Sequence, residues 1–168
     1  MGLLDRLLGR QNRPKMGVLY QAIVDRARAL HWYEAGGVPD TIDGRFDMVV
    51  AMMCAVLLRL EALGASAESA ALTEMFIADM DGQLRESGFG DVGIGKRVGE
   101  MISMLGGRLG AYRGGLAAGD VRPALARNLF RAQPVTPAAL DHVAGAFSAF
   151  AGALGACALP ALLVGELP

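Results

Sequence analysis

Ile94, Val98, Met101, Ile102, Leu105, Leu109, Tyr112 and Leu116 recur at steps of three and four residues. That spacing places them along one side of a helix and leaves Lys96, Arg97, Glu100, Arg108 and Arg113 off the stripe. A helix with so long an apolar stripe must bury it against other elements. The rest of the chain offers helices for that purpose. Leu19, Tyr20, Ile23, Ala27 and Leu30 keep the helical period within 17–33, followed by Trp32 and Tyr33. Phe46, Val49, Val50, Met53, Leu57, Leu60 and Leu63 keep it within 46–63. A further helix buries Leu72, Met75, Phe76, Met80 and Leu84, and residues 120–131 place Val121, Leu125, Leu129 and Phe130 inward with Arg122, Arg127 and Arg131 outward. Apolar residues make up 53% of the chain but aromatics only 6%, so Ala, Leu, Val and Met supply the core, which suits packed helices better than a β-sandwich. The expected fold is all-α, a single-domain bundle of about six or seven helices over 15–168, preceded by an amphipathic arm over 1–14.

Local signals divide the helices. Gly36-Gly37-Val38-Pro39-Asp40 breaks the first, and Thr41 or Asp43 is placed to cap the next. Gly64 is a natural terminator, Ser66 or Ser69 a candidate cap, and Pro134 and Pro137 flank a capping Thr136. Asp79 and Asp81 read as a solvated acidic face. Gly99, Gly106, Gly107 and Gly110 each cost a helix about 1 kcal/mol relative to Ala, which predicts close approach of another helix or local distortion near Gly106-Gly107.

Charge is segregated although the total is −1. Residues 1–15 carry four bases against Asp5, residues 34–91 eleven acids against three arginines, and residues 96–131 seven bases against two acids. The pattern predicts an acidic region and a basic one, able to orient partners. The near-neutral total argues against strong nucleic-acid affinity. Cys54 and Cys157 each sit in an apolar helical pattern and read as free buried thiols. With His31 and His142 the only histidines and no C-x-x-C, a metal or haem site is not expected. DTIDGRFD fails the spacing of a calcium loop and reads as an ordered turn.

Two motifs imitate nucleotide loops. Gly88 to Gly93 spells G-x-G-x-x-G, and Gly90 to Lys96 spells G-x-x-x-x-G-K. The first needs a preceding strand, where this chain has the polar helical QLRES; the second needs Ser or Thr after the lysine, where Arg97 stands. A sharp helix-to-helix reversal explains the glycines better.

The runs VPDTIDGRFD, DMDGQLRESGFGDVGIGKRV and GRLGAY, with the opening LYQAIVDRAR and Trp32-Tyr33, resemble the ubiquinol–cytochrome c chaperone family, assembly factors for cytochrome b of the respiratory ubiquinol–cytochrome c reductase. The resemblance covers roughly 17–131. It implies an all-α domain with no cofactor and no catalysis. In mitochondrial members it implies work with a small partner protein at the ribosomal tunnel exit on new cytochrome b. Tyr33, Pro39, Asp40, Thr41, Gly44, Arg45 and Phe46 match the earlier loop. Arg85, Glu86, Gly88, Gly90 and Asp91 match the family's turn, Lys96 and Arg97 the basic pair after it, and Arg108 and Tyr112 the later pattern. Met52-Met53 stands where many members carry a His, so no role is carried over to that position.

Two segments bear on membranes. GLLDRLLGR places Leu3, Leu4, Leu7 and Leu8 on one helical face, which suits an arm docking on its own domain or a weak interfacial contact. It fits neither a secretory signal nor a myristoylation site. Residues 143–165 carry no charge and reach spanning length, but Pro160 splits them. A buried bundle helix over 138–157 is favoured over a client- or membrane-contacting helix and over a span.

The resulting expectation is a non-enzymatic chaperone acting through protein–protein contacts. Its partner-binding residues are Tyr33, Asp40, Arg45, Phe46, Arg85, Glu86, Asp91, Lys96, Arg97, Arg108 and Tyr112. Newly made cytochrome b is the client. A ribosome, a small partner protein and a peripheral contact with the inner membrane are further candidates, and a specific nucleic acid is not. Without the long N-terminal extension of mitochondrial members, the expected site of action is the bacterial cytoplasm. The competing readings are a generic helical scaffold or RNA- or ribosome-binding adaptor, and a small enzyme holding phosphate at the glycine bend.

Overall fold

A computed structural model of the chain describes residues 16–86 and 94–168, with side chains described for 16–83 and 96–168. The arm over 1–14 and the glycine turn with Gly88, Gly90 and Asp91 lie outside the described residues. Residues 16–27 form helix α1. There follow α2 (Leu30–Tyr33), α3 (Ile42–Ala62), α4 (Ser66–Glu86), α5 (Ile94–Ala118), α6 (Arg122–Asn128), α7 (Pro137–Leu154) and α8 (Leu159–Leu163). The described residues contain no strand, and six of these helices have seven residues or more. The all-α expectation therefore stands.

The centre of the bundle is α3. Every residue from Val50 to Leu57 is buried, Met52 and Met53 included. The sequence predicted a single apolar face here. A helix apolar all round is instead surrounded, and α3 packs against α4, α5 and α7. Tyr112 of α5 meets Phe147 of α7 at 5.1 Å, and Phe46 of α3 meets Phe76 of α4 at 6.0 Å between ring centres. These tilted aromatic pairs close the core on two sides of α3.

Four boundaries differ from expectation for visible reasons. The first helix does not run through to Tyr33. It ends at Ala27, and Ala29 is extended at φ −58°, ψ 130°. The break lets Trp32 and Tyr33 fold back, so that the Trp32 indole donates to the Arg26 carbonyl at 2.9 Å and the Tyr33 hydroxyl to the Ala27 carbonyl at 2.9 Å. Both acceptors belong to the last turn of α1, which lacks intrahelical donors for them. The second helix starts at Ile42 rather than Phe46, because the Thr41 hydroxyl accepts from the Gly44 N–H at 3.1 Å and caps it there. The helix expected over 120–131 is shorter, with Pro123 in its first turn and an end at Asn128. α7 stops at Leu154 rather than 157.

Five further readings need correction. Asp79 is not simply solvated, since its Oδ2 accepts from the Tyr20 hydroxyl at 2.7 Å and joins α4 to α1. Burial first, and then that carboxylate, pushes the Tyr20 hydroxyl up. Ser69 does not cap α4; its hydroxyl is buried without a partner among the described residues. Gly99, Gly106, Gly107 and Gly110 mediate no close approach, because a Cβ on any of them meets nothing within 4 Å. Ile102, placed on the buried stripe, is half exposed. Cys54 is buried, which pushes its thiol up to about 12, whereas Cys157 is only half-buried.

No helix among the described residues is long and apolar enough to cross a membrane. α7 buries Val143, Ala144, Phe147, Phe150 and Leu154 on one side and exposes Gly145, Ser148, Ala149, Gly152 and Ala153 on the other. It is thus a one-sided bundle helix whose outer face beyond Asp141 is small and uncharged. Its start is set by Thr136, whose hydroxyl accepts from the Ala139 N–H at 3.2 Å. Thr136→Ala should cost about 1 kcal/mol in a urea titration, with the denaturant slope unchanged.

Candidate partner-binding site

The stretch from Val38 to Asp47 is a turn folded onto the start of α3. Val38 is buried, and its N–H donates to the Trp32 carbonyl at 3.0 Å. Thr41 caps the helix, and Gly44 faces the Pro39 carbonyl so closely that a Cβ there would land on it. Two kinds of side chain result. Asp40 and Arg45 point outward, joined at 2.6 Å with about 60% of each side chain exposed. The Arg45 guanidinium holds the Asp40 carboxyl below the usual carboxylate range, and the carboxylate raises Arg45 in turn. Ile42 beside them is 88% exposed, an apolar side chain with no cover.

Phe46 and Asp47 point inward. Asp47 is the only fully buried charged residue among those described. Its Oδ1 accepts from Arg108 Nη1 of α5 at 2.7 Å, and its Oδ2 from Arg131 Nε after α6 at 2.6 Å. Arg131 also donates through Nη1 to Asp43 at 2.7 Å. The Arg108 guanidinium lies 5.9 Å over the Phe46 ring, so one cation holds both an aromatic face and a buried carboxylate. Arg131 and Ala132 take φ of 52° and 56°, a left-handed conformation costing non-glycine residues on the order of 1 kcal/mol each. Two carboxylates on the Arg131 side chain offset that cost.

This network largely buries Arg108, which the sequence placed off the apolar stripe, whereas Arg131 stays half exposed as expected while holding two acids. It also changes the meaning of the charge segregation. Acids of α3 meet bases from α5 onward: Asp47 with Arg108 and Arg131, Asp43 with Arg131, and Glu61 with Arg113 at 2.6 Å. Arg122 is likewise held by Asp120 and by Asp141. Much of the expected dipole is neutralised inside the molecule. Asp47 has both oxygens occupied and no access to solvent, so it holds three segments together and offers nothing to a substrate. No group of three or more His, Cys, Asp or Glu among the described residues could hold a metal ion.

The sequence-predicted residues fall into three groups. Tyr33, Asp40, Arg45 and Phe46 come together at the start of α3, where burial pushes the Tyr33 hydroxyl up and Arg45 and Asp40 act on it from nearby. Arg108 joins them from beneath. Tyr112 stands apart; it is fully buried, its hydroxyl has no partner among the described residues, and it can reach a partner only through the packing it maintains. Lys96 is exposed at the start of α5, 3.9 Å from Glu100, with Arg97 beside it half-buried. Arg85 and Glu86 lie in the last turn of α4, with side chains outside those described, and Asp91 lies outside the described residues. Beyond Phe76 on α4 and before Leu105 on α5, no described residue of 77–83 or 96–104 is fully buried. Ile77, Met80, Val98, Met101 and Met104 are half-buried there.

Asp47 and Ile42 carried no assigned role in the sequence. Asp47 had a readable signal. Its neighbours on the helix face are Asp43, Gly44, Val50 and Ala51, none of them basic, so an acid in an apolar run required a cation from elsewhere in the fold.

Residues 34–167 match the family model described as ubiquinol-cytochrome C chaperone. The fold is similar to the crystal structure of the Cbp3 homolog from Brucella abortus, at 30% sequence identity and a TM-score of 0.79, covering 98% of this chain and 93% of that one. No curated protein matches the chain.

Proposed function

The chain belongs to the ubiquinol–cytochrome c chaperone family, and on that premise we propose that it is a non-enzymatic assembly factor that holds cytochrome b for the respiratory ubiquinol–cytochrome c reductase. The observation that carries the reading is the family match over 34–167, which takes in the turn at α3, its Asp47 anchor and the whole of α4 and α5. The proposed client surface joins the exposed Ile42, Asp40 and Arg45 to the half-buried methionines and valine of α4 and α5. Unbranched methionines adapt to varied apolar partners. Lys96 and Arg97 flank that surface at the start of α5. A protein partner suits the chain better than RNA, because Arg108, Arg113, Arg122 and Arg131 are already paired with its own carboxylates. The site of action we propose is the bacterial cytoplasm, with peripheral contact at the inner membrane and either a ribosome or a small second protein beside the client.

Photocrosslinkers placed at Ile42, Arg45 and Lys96 in cells test the surface. Cytochrome b should be captured from Ile42 and Arg45 and not from a control site at the exposed Glu166, beside α1. Deletion of the gene should lower haem-b absorbance and ubiquinol–cytochrome c reductase activity together. Normal reductase levels in the deletion strain would refute the client assignment.

A further inference from the structure

A groove of about 260 Å³ lies between α1, α2 and α7. Arg26, His31, Trp32, Ala149, Phe150 and Ala153 line it. One rim is basic. His31 Nδ1 lies 3.1 Å from His142 Nε2, and the Arg26 guanidinium lies 5.8 Å over the Phe150 ring. Three basic side chains from three elements therefore gather at one place. Among the described residues none of them has a carboxylate within ion-pair distance, although Arg45, Arg108, Arg113, Arg122 and Arg131 all do. Pro168 closes one end of the groove without an ion pair to Arg26 or His31. The opposite wall comes from the uncharged face of α7, and its floor is aromatic.

We propose that this groove binds a small anionic amphiphile, its carboxylate between Arg26 and His31 and its apolar body along Trp32, Phe150 and the α7 alanines. The occupant supplies the acid that the cluster lacks and covers apolar surface left open by the small side chains of α7. Burial, then His142 and then Arg26 hold His31 below the usual histidine range. An anion reverses the two electrostatic contributions, so binding takes up a proton and tightens as pH falls. His142 on α7 and Arg26 on α1 are the charged or titratable groups acting on His31, and the terminal carboxylate of Pro168 stands at the end of the groove, outside ion-pair distance.

Trp32 is the only tryptophan of the chain and lines the groove, so its fluorescence reports occupancy directly. Titration of the full chain with sodium decanoate should give a saturable change in emission. Decanol, with the same tail and no charge, should bind about tenfold more weakly, and acetate should give no change. Arg26→Gln should weaken decanoate about tenfold, and Ala149→Phe, which fills the groove from the exposed side of α7, should abolish the response. Unchanged thermal melts show that both variants remain folded. Affinity should rise severalfold between about pH 8 and about pH 6. Absence of a saturable response, equal binding of decanol and decanoate, an unaffected Arg26→Gln variant, or a flat pH profile would each overturn the assignment.

Discussion

Asp47→Ala should destabilise the protein by about 3–5 kcal/mol, the largest loss expected from any single polar substitution in the chain. The carboxylate is fully buried, and both oxygens are held by guanidiniums at 2.6–2.7 Å. Its removal leaves Arg108, only 13% exposed, as an uncompensated charge beside Phe46. It also removes one of the two contacts that hold Arg131 in a left-handed conformation. Arg131→Ala should cost less, about 1–2 kcal/mol, because that side chain is half exposed and Asp47 keeps Arg108. A double variant, Asp47→Leu with Arg108→Leu, should recover much of the loss, since replacing a buried pair with apolar groups avoids the stranded charge. Urea titrations of the three variants measure all of this. A loss below 1 kcal/mol for Asp47→Ala would show that the network does not anchor α3 to α5.

Gly44→Ala and Gly106→Ala should move stability in opposite directions, although both change glycine to alanine inside a helix. At Gly44 the added Cβ meets the Pro39 carbonyl, a backbone atom of a turn pinned by the Thr41 cap and the buried Val38. The turn must shift as a unit, at an expected cost of about 3 kcal/mol. Asp40, Arg45 and Ile42 would shift with it, so client capture by crosslinkers at Ile42 should fall in the same variant. At Gly106 the Cβ meets nothing within 4 Å, so alanine gains helix propensity alone and should stabilise by about 0.5–1 kcal/mol. Thermal melts read both signs. Equal effects at the two positions would mean that the Pro39 contact is not rigid.

The periodic stripes were legible along the chain because helical periodicity depends only on spacing. They yielded the long helices and most core residues on α3, α4 and α5, including Leu72, Phe76, Leu105 and Tyr112. Thr41 and Thr136 were legible as caps because capping is settled within four residues. Gly64 was legible for the same reason, and its φ of +68° shows the turn it makes. The break at Ala29 was not legible, since no Gly or Pro marks it. It depends on Trp32 and Tyr33 reaching back to the carbonyls of α1, a choice made by packing. The loop residues Tyr33, Asp40, Arg45 and Phe46 were legible as a group, but which of them faces outward was not.

The sequence by itself determined an all-helical chain, the caps at Thr41 and Thr136, the apolar stripes of the long helices and the family to which it belongs. Only the tertiary structure decided what the charges do. Sequence distance gives the separation of Asp47 from Arg108 and Arg131 along the chain, 61 and 84 residues, and says nothing of their approach to hydrogen-bonding distance. Burial at the centre of a bundle turns that approach into a requirement, because a carboxylate removed from water must find its cations within the fold. Only the fold also brings Arg26 and His31 together beside the alanines of α7, with no carboxylate within ion-pair distance of either among the described residues.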